Sequence, residues 1–154
     1  MIDRSSKQYW NDRVLEFKDN ERDMIWSSSH AFRDYYESIM VQVLSLYKDC
    51  KVIDVACGFG RFCTIFKPEN YLGFDFSEEM IKLAKEKYPD YKFEVGDYHT
   101  FEVPKVDVIF NVISVGNLGV THYQFVEKYK DFATKAIISI DGTDIFIHPI
   151  YENN

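Results

Sequence analysis

The sequence lacks any apolar run that approaches the ~20 residues a membrane-spanning helix needs. Its first thirteen residues, MIDRSSKQYWNDR, are polar and charged where a signal peptide would be apolar. Basic residues are also few, since 18 lysines and arginines stand against 25 aspartates and glutamates, for a net charge of −7. We therefore predict a cytoplasmic protein without a membrane partner. A nucleic-acid partner is disfavoured because an acidic surface repels a phosphate backbone.

Cysteine and proline are both scarce. The three cysteines, Cys50, Cys57 and Cys63, form no C-x-x-C pair, so neither a zinc site nor dithiol redox chemistry is indicated, and no metal site is predicted. The four prolines fall where secondary structure should break, and no linker rich in glycine, serine or proline interrupts the chain. At 154 residues the chain can bury one core, which predicts a single domain over residues 1–154.

From Lys51 onward, short β-branched runs alternate with helical stretches, a pattern typical of a parallel sheet with crossover helices. We predict an α/β fold with a Rossmann-like, mostly parallel open sheet and helices on both faces. The predicted strands are KVIDVA, YLGFD, YKFEVGD, VDVIFNVI and KAIISID, with IFIHP as a possible sixth. The predicted helices are Gly60 to Phe66, Ser77 to Tyr88 with Ser77 as its N-cap, and His122 to Thr134.

Residues 1–48 differ from the core of residues 49–154 in being rich in aromatic and charged side chains. They predict an N-terminal helical layer, or lid, that partly covers the ligand edge of the sheet. Its main helix is expected from Ala31 to Tyr47, capped by the serines at 27–29. The side chains expected to share its inner face are Phe32, Tyr35, Ile39, Val43 and Leu46.

The residues that follow the predicted strands should meet at one edge, because ligands of parallel open sheets bind beyond the carboxyl ends of the strands. Gly58 and Gly60 allow a tight turn and a close approach of the backbone to a ligand. Asp75 can accept hydrogen bonds from two ribose hydroxyls, and Asp97 can accept one from an exocyclic amine. Phe76 and Met80 offer an apolar slot for a purine. Together these groups predict a site for an adenosine-bearing cofactor.

Two cofactors of this kind remain open at this point, a dinucleotide and S-adenosylmethionine. The dinucleotide fingerprint would place Cys63 where a small residue normally allows close helix packing. The carboxylate of Asp54, within the first strand, would also oppose a pyrophosphate, whereas it suits a sulfonium that carries an amino group. S-adenosylmethionine is therefore favoured over a dinucleotide.

Three stretches, VIDVACGFGRF, YLGFDFSEEMI and FEVGDYHTF, resemble the successive motifs of class I S-adenosylmethionine-dependent methyltransferases. In that family the first motif reads acid-x-Gly-x-Gly-x-Gly, and Ala56 replaces its first glycine here. The resemblance implies that Asp54 holds the loop, that Ala56 and Gly58 face the methionine moiety, and that Asp75 binds the ribose. The implied adenine pocket consists of Phe76, Met80, Asp97 and the backbone of Tyr98.

Other residues near these motifs have weaker assignments. Cys57 belongs to the predicted cofactor loop but also suits the filling of a tight turn. Asn111 follows the fourth strand and suits the pairing of strand-end backbone groups. The region lacks the Asn/Asp-Pro-Pro-aromatic motif of enzymes that methylate DNA bases, so we assign no catalytic residue. Tyr9, Trp10 and His122 are weak candidates for contacts with the methyl acceptor.

Only DGTDIFIHPIYENN follows the fifth predicted strand, which predicts a C-terminally shortened member of that family. A homo-oligomer or a partner subunit is expected to cover the sheet edge, because an exposed edge strand invites association. Two functions stay open. One is a methyltransferase acting on a small molecule or a protein side chain, and the other is a non-catalytic cofactor-binding module that regulates another protein.

Overall fold

A computed structural model describes residues 3–17, 20–21, 24, 30–112, 114–141 and 144–151. The serines at 27–29, predicted to cap the main N-terminal helix, lie outside these ranges. Within them, every helix is too short or too polar to cross a membrane.

Five α-helices and six strands follow one another along the described chain. The helices are α1 (Lys7–Phe17), α2 (His30–Ser45), α3 (Glu78–Lys87), α4 (Val115–Leu118) and α5 (His122–Tyr129). The strands are β1 (Val52–Val55), β2 (Tyr71–Asp75), β3 (Lys92–Val95), β4 (Val106–Val112), β5 (Ala133–Asp141) and β6 (Asp144–Pro149).

All six strands form one sheet in the order β3-β2-β1-β4-β5-β6. Strands β1 to β5 run parallel to one another, and β6 runs antiparallel to β5. Strand order reverses between β1 and β4, so the carboxyl ends of these two strands flank the crevice where such sheets bind ligands. The predicted α/β class, with a mostly parallel open sheet and helices on both faces, is confirmed.

Each face of the sheet carries its own apolar core, which explains why the central strands are buried on both sides. On one face, α2 and α3 pack against Tyr71, Phe93 and Phe110. On the other face, α5 packs Phe125 and Tyr129 against the sheet. A third, smaller cluster joins α1 to α3 near the carboxyl ends of the strands.

The crossover from β1 to β2 is shorter than predicted. Instead of a helix from Gly60 to Phe66, the chain forms two single 3₁₀ turns, Cys63–Ile65 and Pro68–Asn70. The part of the sheet that a longer crossover helix would cover is covered by α2 and the first of these turns, which belong to the same core cluster.

The prediction for the inner face of α2 was right at Val43, which packs against the core, and wrong at Tyr35 and at Leu46, which follows the end of the helix at Ser45. Tyr35 and Leu46, expected to face inward, are 64% and 76% exposed. Met40 and Leu44 are fully buried in their place, and Tyr36, Val43 and Tyr47 pack around them. Both sets recur at helical spacing. Successive residues of a helix are rotated by about 100° around its axis, so periodicity alone could not decide which of the two sets faces the sheet.

The predicted helix from His122 to Thr134 also ran too far. It ends at Tyr129, and β5 begins at Ala133, which pairs with Val106 of β4. Phe132, predicted as part of the helical stripe, lies outside the helix and is 41% exposed. Strand pairing determined this boundary, and it depends on a partner distant in sequence.

Candidate cofactor site

A cavity of about 710 Å³ opens at the carboxyl ends of β1, β2 and β4, where the sequence predicts the ligand edge. Eight of the predicted cofactor-binding residues line it: Ala56, Cys57, Gly58, Asp75, Phe76, Met80, Asp97 and Tyr98. Its volume falls within the range of small-molecule and cofactor sites.

The loop after β1 forms one wall of the cavity with a left-handed backbone. Ala56 and Gly58 both have φ of +56°, and Gly60 has φ of +77°. A side chain at Gly60 would overlap the Phe93 ring, so this position of the loop requires glycine. Gly60 does not line the cavity. The left-handed conformation is sterically unfavourable for Ala56, as it would not be for a glycine. It keeps the loop backbone close to the cavity.

The Asp75 carboxylate in the cavity wall is held by two backbone hydrogen bonds. Its Oδ2 accepts a hydrogen bond from the Gly58 N–H over 2.9 Å, and its Oδ1 accepts one from the Ser77 N–H over 2.9 Å. Burial raises the pKa of Asp75 to about 6, although the surrounding backbone N–H groups lower it. A carboxylate has about four lone-pair directions, so two protein donors leave capacity for ligand hydroxyls.

Asp54 lies under the loop and does not line the cavity. Its Oδ2 accepts a 2.7 Å hydrogen bond from the Tyr71 hydroxyl on the neighbouring strand. Burial raises the pKa of Asp54 to about 7, because desolvation outweighs the opposing effects of Tyr71 and of the positive charge on Arg61. This position matches a residue that supports the loop from below.

The remaining wall combines apolar side chains with a second acid. Asp97 Oδ1 accepts a hydrogen bond from the His99 N–H over 2.7 Å. The Tyr98 ring packs into the core against Phe125, with ring centroids 6.3 Å apart, so its backbone is the part suited to meet a ligand ring. Phe76 and Met80 contribute apolar surface beside Asp75.

Asn111 does not line the cavity but connects the ends of two strands beneath it. Its Nδ2 donates to the Val55 carbonyl over 2.8 Å, and its Oδ1 accepts from the Ser114 N–H over 3.2 Å. The side chain is fully buried. Its contacts satisfy strand-end backbone groups, which was the alternative considered from the sequence.

A methyltransferase domain model matches residues 46–139, more than half of the chain. The chain belongs to the methyltransferase domain family. The resemblance to class I S-adenosylmethionine-dependent methyltransferases, based on three motifs, is thereby confirmed.

Two curated relatives illustrate the sequence similarity. Demethylmenaquinone methyltransferase of Chlorobaculum parvum is 28% identical over 111 residues, which cover 70% of this chain and 44% of that protein. The ubiquinone/menaquinone biosynthesis C-methyltransferase UbiE of Campylobacter jejuni is 33% identical over 92 residues, 53% of this chain and 34% of that protein. The chain thus spans less than half the length of these relatives.

Two solved structures share the fold. Phosphoethanolamine N-methyltransferase 1 of Haemonchus contortus, solved with phosphoethanolamine and S-adenosylhomocysteine, aligns with a TM-score of 0.64 at 20% identity, covering 90% of this chain and 33% of that one. Magnesium protoporphyrin IX methyltransferase of Synechocystis, solved with bound S-adenosylmethionine, aligns with a TM-score of 0.62 at 14% identity, covering 97% of this chain and 81% of that one.

Helix α1 brings N-terminal residues to the rim of the methyltransferase domain's cavity. Trp10 lines the cavity and donates from Nε1 to the Arg4 carbonyl over 2.8 Å, whereas Tyr9 does not line it. Asn11 Oδ1 accepts a 2.6 Å hydrogen bond from Ser77 Oγ, the N-cap of α3. This contact ties α1 to the segment that follows Asp75.

His122 lies away from the cavity wall of the methyltransferase domain. Its Nδ1 is 2.7 Å from Ser139 Oγ, and its ring stacks on Phe146 with centroids 4.0 Å apart. Its position at the start of α5 follows the capping box of Thr121 and Gln124. The geometry gives His122 a packing position, and its predicted role toward an acceptor has no support from the cavity lining.

Sequence reasoning missed several lining residues of the methyltransferase domain. They are Arg4, Ser5, Arg61, Phe74, Gly96, His99 and Asp141. The other lining residues without an individual assignment belong to the stretch after the fourth strand, which the sequence places at this edge: Val112, Ser114, Gly116, Asn117, Leu118 and Gly119. Arg61 follows the glycine loop directly and lies 3.6 Å from Glu37 of α2, a contact that sequence does not reveal. Burial lowers the pKa of Arg61, and the nearby carboxylates of Glu37 and Asp54 oppose that effect.

Neither a reactive thiol nor a metal cluster emerges at the site from the described part of the chain. Burial raises the pKa of the Cys57 thiol well above its ordinary value, so this cysteine fills space as a neutral group. In the same residues, no three histidine, cysteine or carboxylate side chains gather in a way that could hold a metal ion.

Proposed function

We propose that this domain binds S-adenosylmethionine in the 710 Å³ cavity and transfers its methyl group to a small molecule. The observation that carries the proposal is the orientation of Asp75 by the Gly58 and Ser77 N–H groups at the cavity wall. These bonds hold a carboxylate beside the glycine loop, where a ribose diol can donate two hydrogen bonds to it.

The residues present fit the cofactor along its length. Asp75 accepts from the ribose hydroxyls, Phe76 and Met80 pack against the adenine face, and Asp97 accepts from the adenine amine. The loop at Ala56 and Gly58 faces the methionine moiety with backbone alone, since neither residue carries a bulky side chain. A dinucleotide fits less well, because its pyrophosphate would lie at the loop directly above the Asp54 carboxyl.

When bound, S-adenosylmethionine supplies a methyl group on a positively charged sulfur. The chain's own residues then position the acceptor and exclude water, which can supply ~7 kcal/mol or more of the barrier reduction. Arg4 and Asn117 also line the cavity and are available to bound the space beside the cofactor. His99 and Asp141, which also line it, are the titratable side chains suited to accept an acceptor proton.

The proposal of a small-molecule acceptor is supported by the names of similar proteins. Those names refer to demethylmenaquinone, phosphoethanolamine and magnesium protoporphyrin IX, all small molecules of unlike chemistry. A protein side chain is the second candidate acceptor, and a module that binds the cofactor without transfer is the alternative to an enzyme. We assign no single acceptor, because each of these proteins is named for a different molecule.

Calorimetric titration with S-adenosylhomocysteine tests the site. We expect saturable one-to-one binding, no binding of NADH, and a ~10- to 100-fold loss of affinity in Asp75→Ala. The exposed Asp131, beyond the end of α5, provides a matched control, and Asp131→Asn should leave affinity unchanged. Thermal melting of each variant separates a lost contact from a lost fold. Unchanged affinity in a folded Asp75→Ala variant would show the site assignment to be wrong.

Transfer is tested separately with cofactor that carries a radiolabelled methyl group. The domain is incubated with a small-molecule extract or with a protein fraction. Label in the small-molecule fraction supports the proposal, and label in the protein fraction supports the second acceptor class. Binding without label in either fraction supports the non-catalytic module.

A further inference from the structure

The strand β6 presents an apolar edge. All six of its residues are exposed, including Ile145 at 38%, Phe146 at 46% and Ile147 at 42%. Within the described ranges, β5 is the strand that pairs with β6, so the other side of β6 is open. Three consecutive large apolar residues on an open edge favour pairing with another strand.

The hydrogen-bond pattern determines which backbone groups face outward from β6. The Ile150 N–H donates to the Lys135 carbonyl over 2.8 Å, which makes this a hydrogen-bonded pair in the antiparallel ladder. Because such pairs alternate, residues 144, 146 and 148 also point their backbone groups toward β5. Ile145, Ile147 and Pro149 therefore point theirs outward. Pro149 has no N–H to offer, which fits an outward position on an edge strand.

These outward groups are self-complementary in one antiparallel register. With a two-fold axis at Phe146, Ile145 lies opposite the partner's Ile147, and the two exchange both N–H···O=C bonds. The same pair recurs on the other side of the axis. Shifting the axis to Ile147 would place Ile145 opposite the partner's Pro149, which cannot donate. The proline therefore disfavours that shift, and the register centred on Phe146 gives Ile145 and Ile147 two complete hydrogen-bonded pairs.

Side chains agree with the same register. It places Asp144 opposite the partner's His148 in a non-hydrogen-bonded pair, where side chains approach most closely. An imidazole N–H can donate to a carboxylate, so each of these two pairs is complementary. Phe146 lies opposite the partner's Phe146, and each ring is already stacked on His122 of its own chain. Aromatic and hydrogen-bonded polar cross-strand pairs stabilise a sheet.

We infer that β6 pairs with β6 of a second copy of this chain in a two-fold dimer, with Ile145 opposite the partner's Ile147. The two sheets become one continuous sheet, and both cofactor cavities stay at the carboxyl ends of their own strands. A six-residue edge buries less than the ~800 Å² per partner of a standard stable interface, so the dimer forms weakly and depends on concentration. This inference does not depend on the proposed function.

Hydrogen exchange of single amides tests the register in the unmodified chain. The Ile145 and Ile147 amides should become at least ~10-fold more protected as the protein concentration rises over two decades. The Phe146 and His148 amides, already bonded to β5, should show no such dependence. Sedimentation velocity over the same series should show a monomer–dimer equilibrium. A monomer at every concentration, or protection that rises equally at all four amides, would overturn the inference.

Matched substitutions test the contacts. His148→Glu places like charges opposite each other twice and should weaken the dimer ~10-fold, whereas His148→Lys keeps a donor opposite Asp144 and should not. Ile147→Pro removes an outward N–H without removing a bond to β5, so it should yield a folded monomer. Thermal melting confirms that each variant is folded. A dimer that persists unchanged in folded Ile147→Pro and His148→Glu would mean that another surface associates.

Discussion

The Tyr71 hydroxyl donates a hydrogen bond of 2.7 Å to Asp54 Oδ2, joining two neighbouring strands under the cofactor loop. Both side chains are buried. Burial raises the pKa of Tyr71 well above its ordinary value, so the phenol remains a donor at neutral pH. Because the pKa of Asp54 is raised to about 7, both the neutral acid and the carboxylate of Asp54 are populated near physiological pH as acceptors of this bond.

Tyr71→Phe should destabilise the fold by about 1–3 kcal/mol, because it leaves a buried carboxyl without its donor. The loss should be larger at pH 8 than at pH 5, since a carboxylate needs the bond more than a neutral acid does. Urea unfolding at the two pH values measures it. Tyr91 donates to the Phe66 carbonyl over 2.9 Å, and Tyr91→Phe is the matched control, with a loss independent of pH. Equal losses at both pH values for Tyr71→Phe would contradict the argument.

Asp54 should make the free energy of unfolding fall as pH rises. Its pKa is about 7 in the folded chain and ~3.9 when unfolded, so between these values the folded state binds more protons. Stability from this group is complete below the unfolded pKa and is lost through pH 7, with a limiting slope of about 1.4 kcal/mol per pH unit. Comparing Asp54→Asn with the unmodified chain from pH 4 to 8 isolates this slope.

Asp107 provides a control of opposite sign for that comparison. The hydrogen bond from the Lys51 N–H, over 2.9 Å, is the main cause that lowers the pKa of Asp107. Its stabilisation is therefore present above the unfolded pKa and is lost as pH falls. The difference between Asp107→Asn and the unmodified chain should grow with rising pH at the acidic end. The same direction for both variants would contradict the assignment of the two shifts.

The sequence allowed the fold class to be predicted, because the alternation of apolar strands and helices from Lys51 onward reflects local chemistry. Residues that follow strand ends could also be placed together, since parallel strands bring their carboxyl ends to one edge. Asp75 and Asp97 line one cavity for this reason. Their positions follow from topology alone, which local patterns determine.

What could not be predicted depends on tertiary contacts. Which face of α2 is buried depended on the sheet beneath it, and Met40 could not be distinguished from Tyr35 by spacing. Arg61 and His99 entered the cavity wall through the path of their loops. His122 follows a strand-end segment in sequence, but its contacts with Ser139 and Phe146 hold it at another surface.

Ala56 and Gly58 share a φ of +56°, which permits a paired test of backbone strain in the loop. Ala56→Gly should stabilise the fold by up to about 1 kcal/mol, because the left-handed conformation costs an L residue ~1–2 kcal/mol and glycine loses some entropy. Gly58→Ala should destabilise it by a similar amount, since the nearest atom to the added Cβ is 3.9 Å away and no clash contributes. Chemical denaturation measures both, and stabilisation by Gly58→Ala would contradict the account.

Binding of S-adenosylhomocysteine should weaken as pH falls below 6. The pKa of Asp75 is raised to about 6 by burial, and ribose hydroxyls donate to a carboxylate better than to a neutral acid. The limiting loss is about tenfold per pH unit. Calorimetry from pH 5 to 8 gives the profile, and Asp75→Asn should bind more weakly with no such dependence. A profile that stays the same in Asp75→Asn would mean that another group titrates.

Trp10 should matter for cofactor affinity and Tyr9 should not, although the two rings touch with centroids 5.0 Å apart. Trp10 lines the cavity and packs beside the cluster of Phe59 and Met80, whereas Tyr9 does not line the cavity. Trp10→Ala opens the adenosine side of the cavity to water and should reduce affinity for S-adenosylhomocysteine by about 3- to 10-fold.

Trp10→Phe restores most of that apolar surface but loses the indole N–H that donates to the Arg4 carbonyl. If apolar cover is the main contribution, Trp10→Phe should bind within about twofold of the unmodified chain; if the tether to Arg4 dominates, it should bind as weakly as Trp10→Ala. Tyr9→Ala, measured by the same titration, should stay within about twofold. A greater loss in Tyr9→Ala than in Trp10→Ala would mean that α1 acts on the site through its outer face.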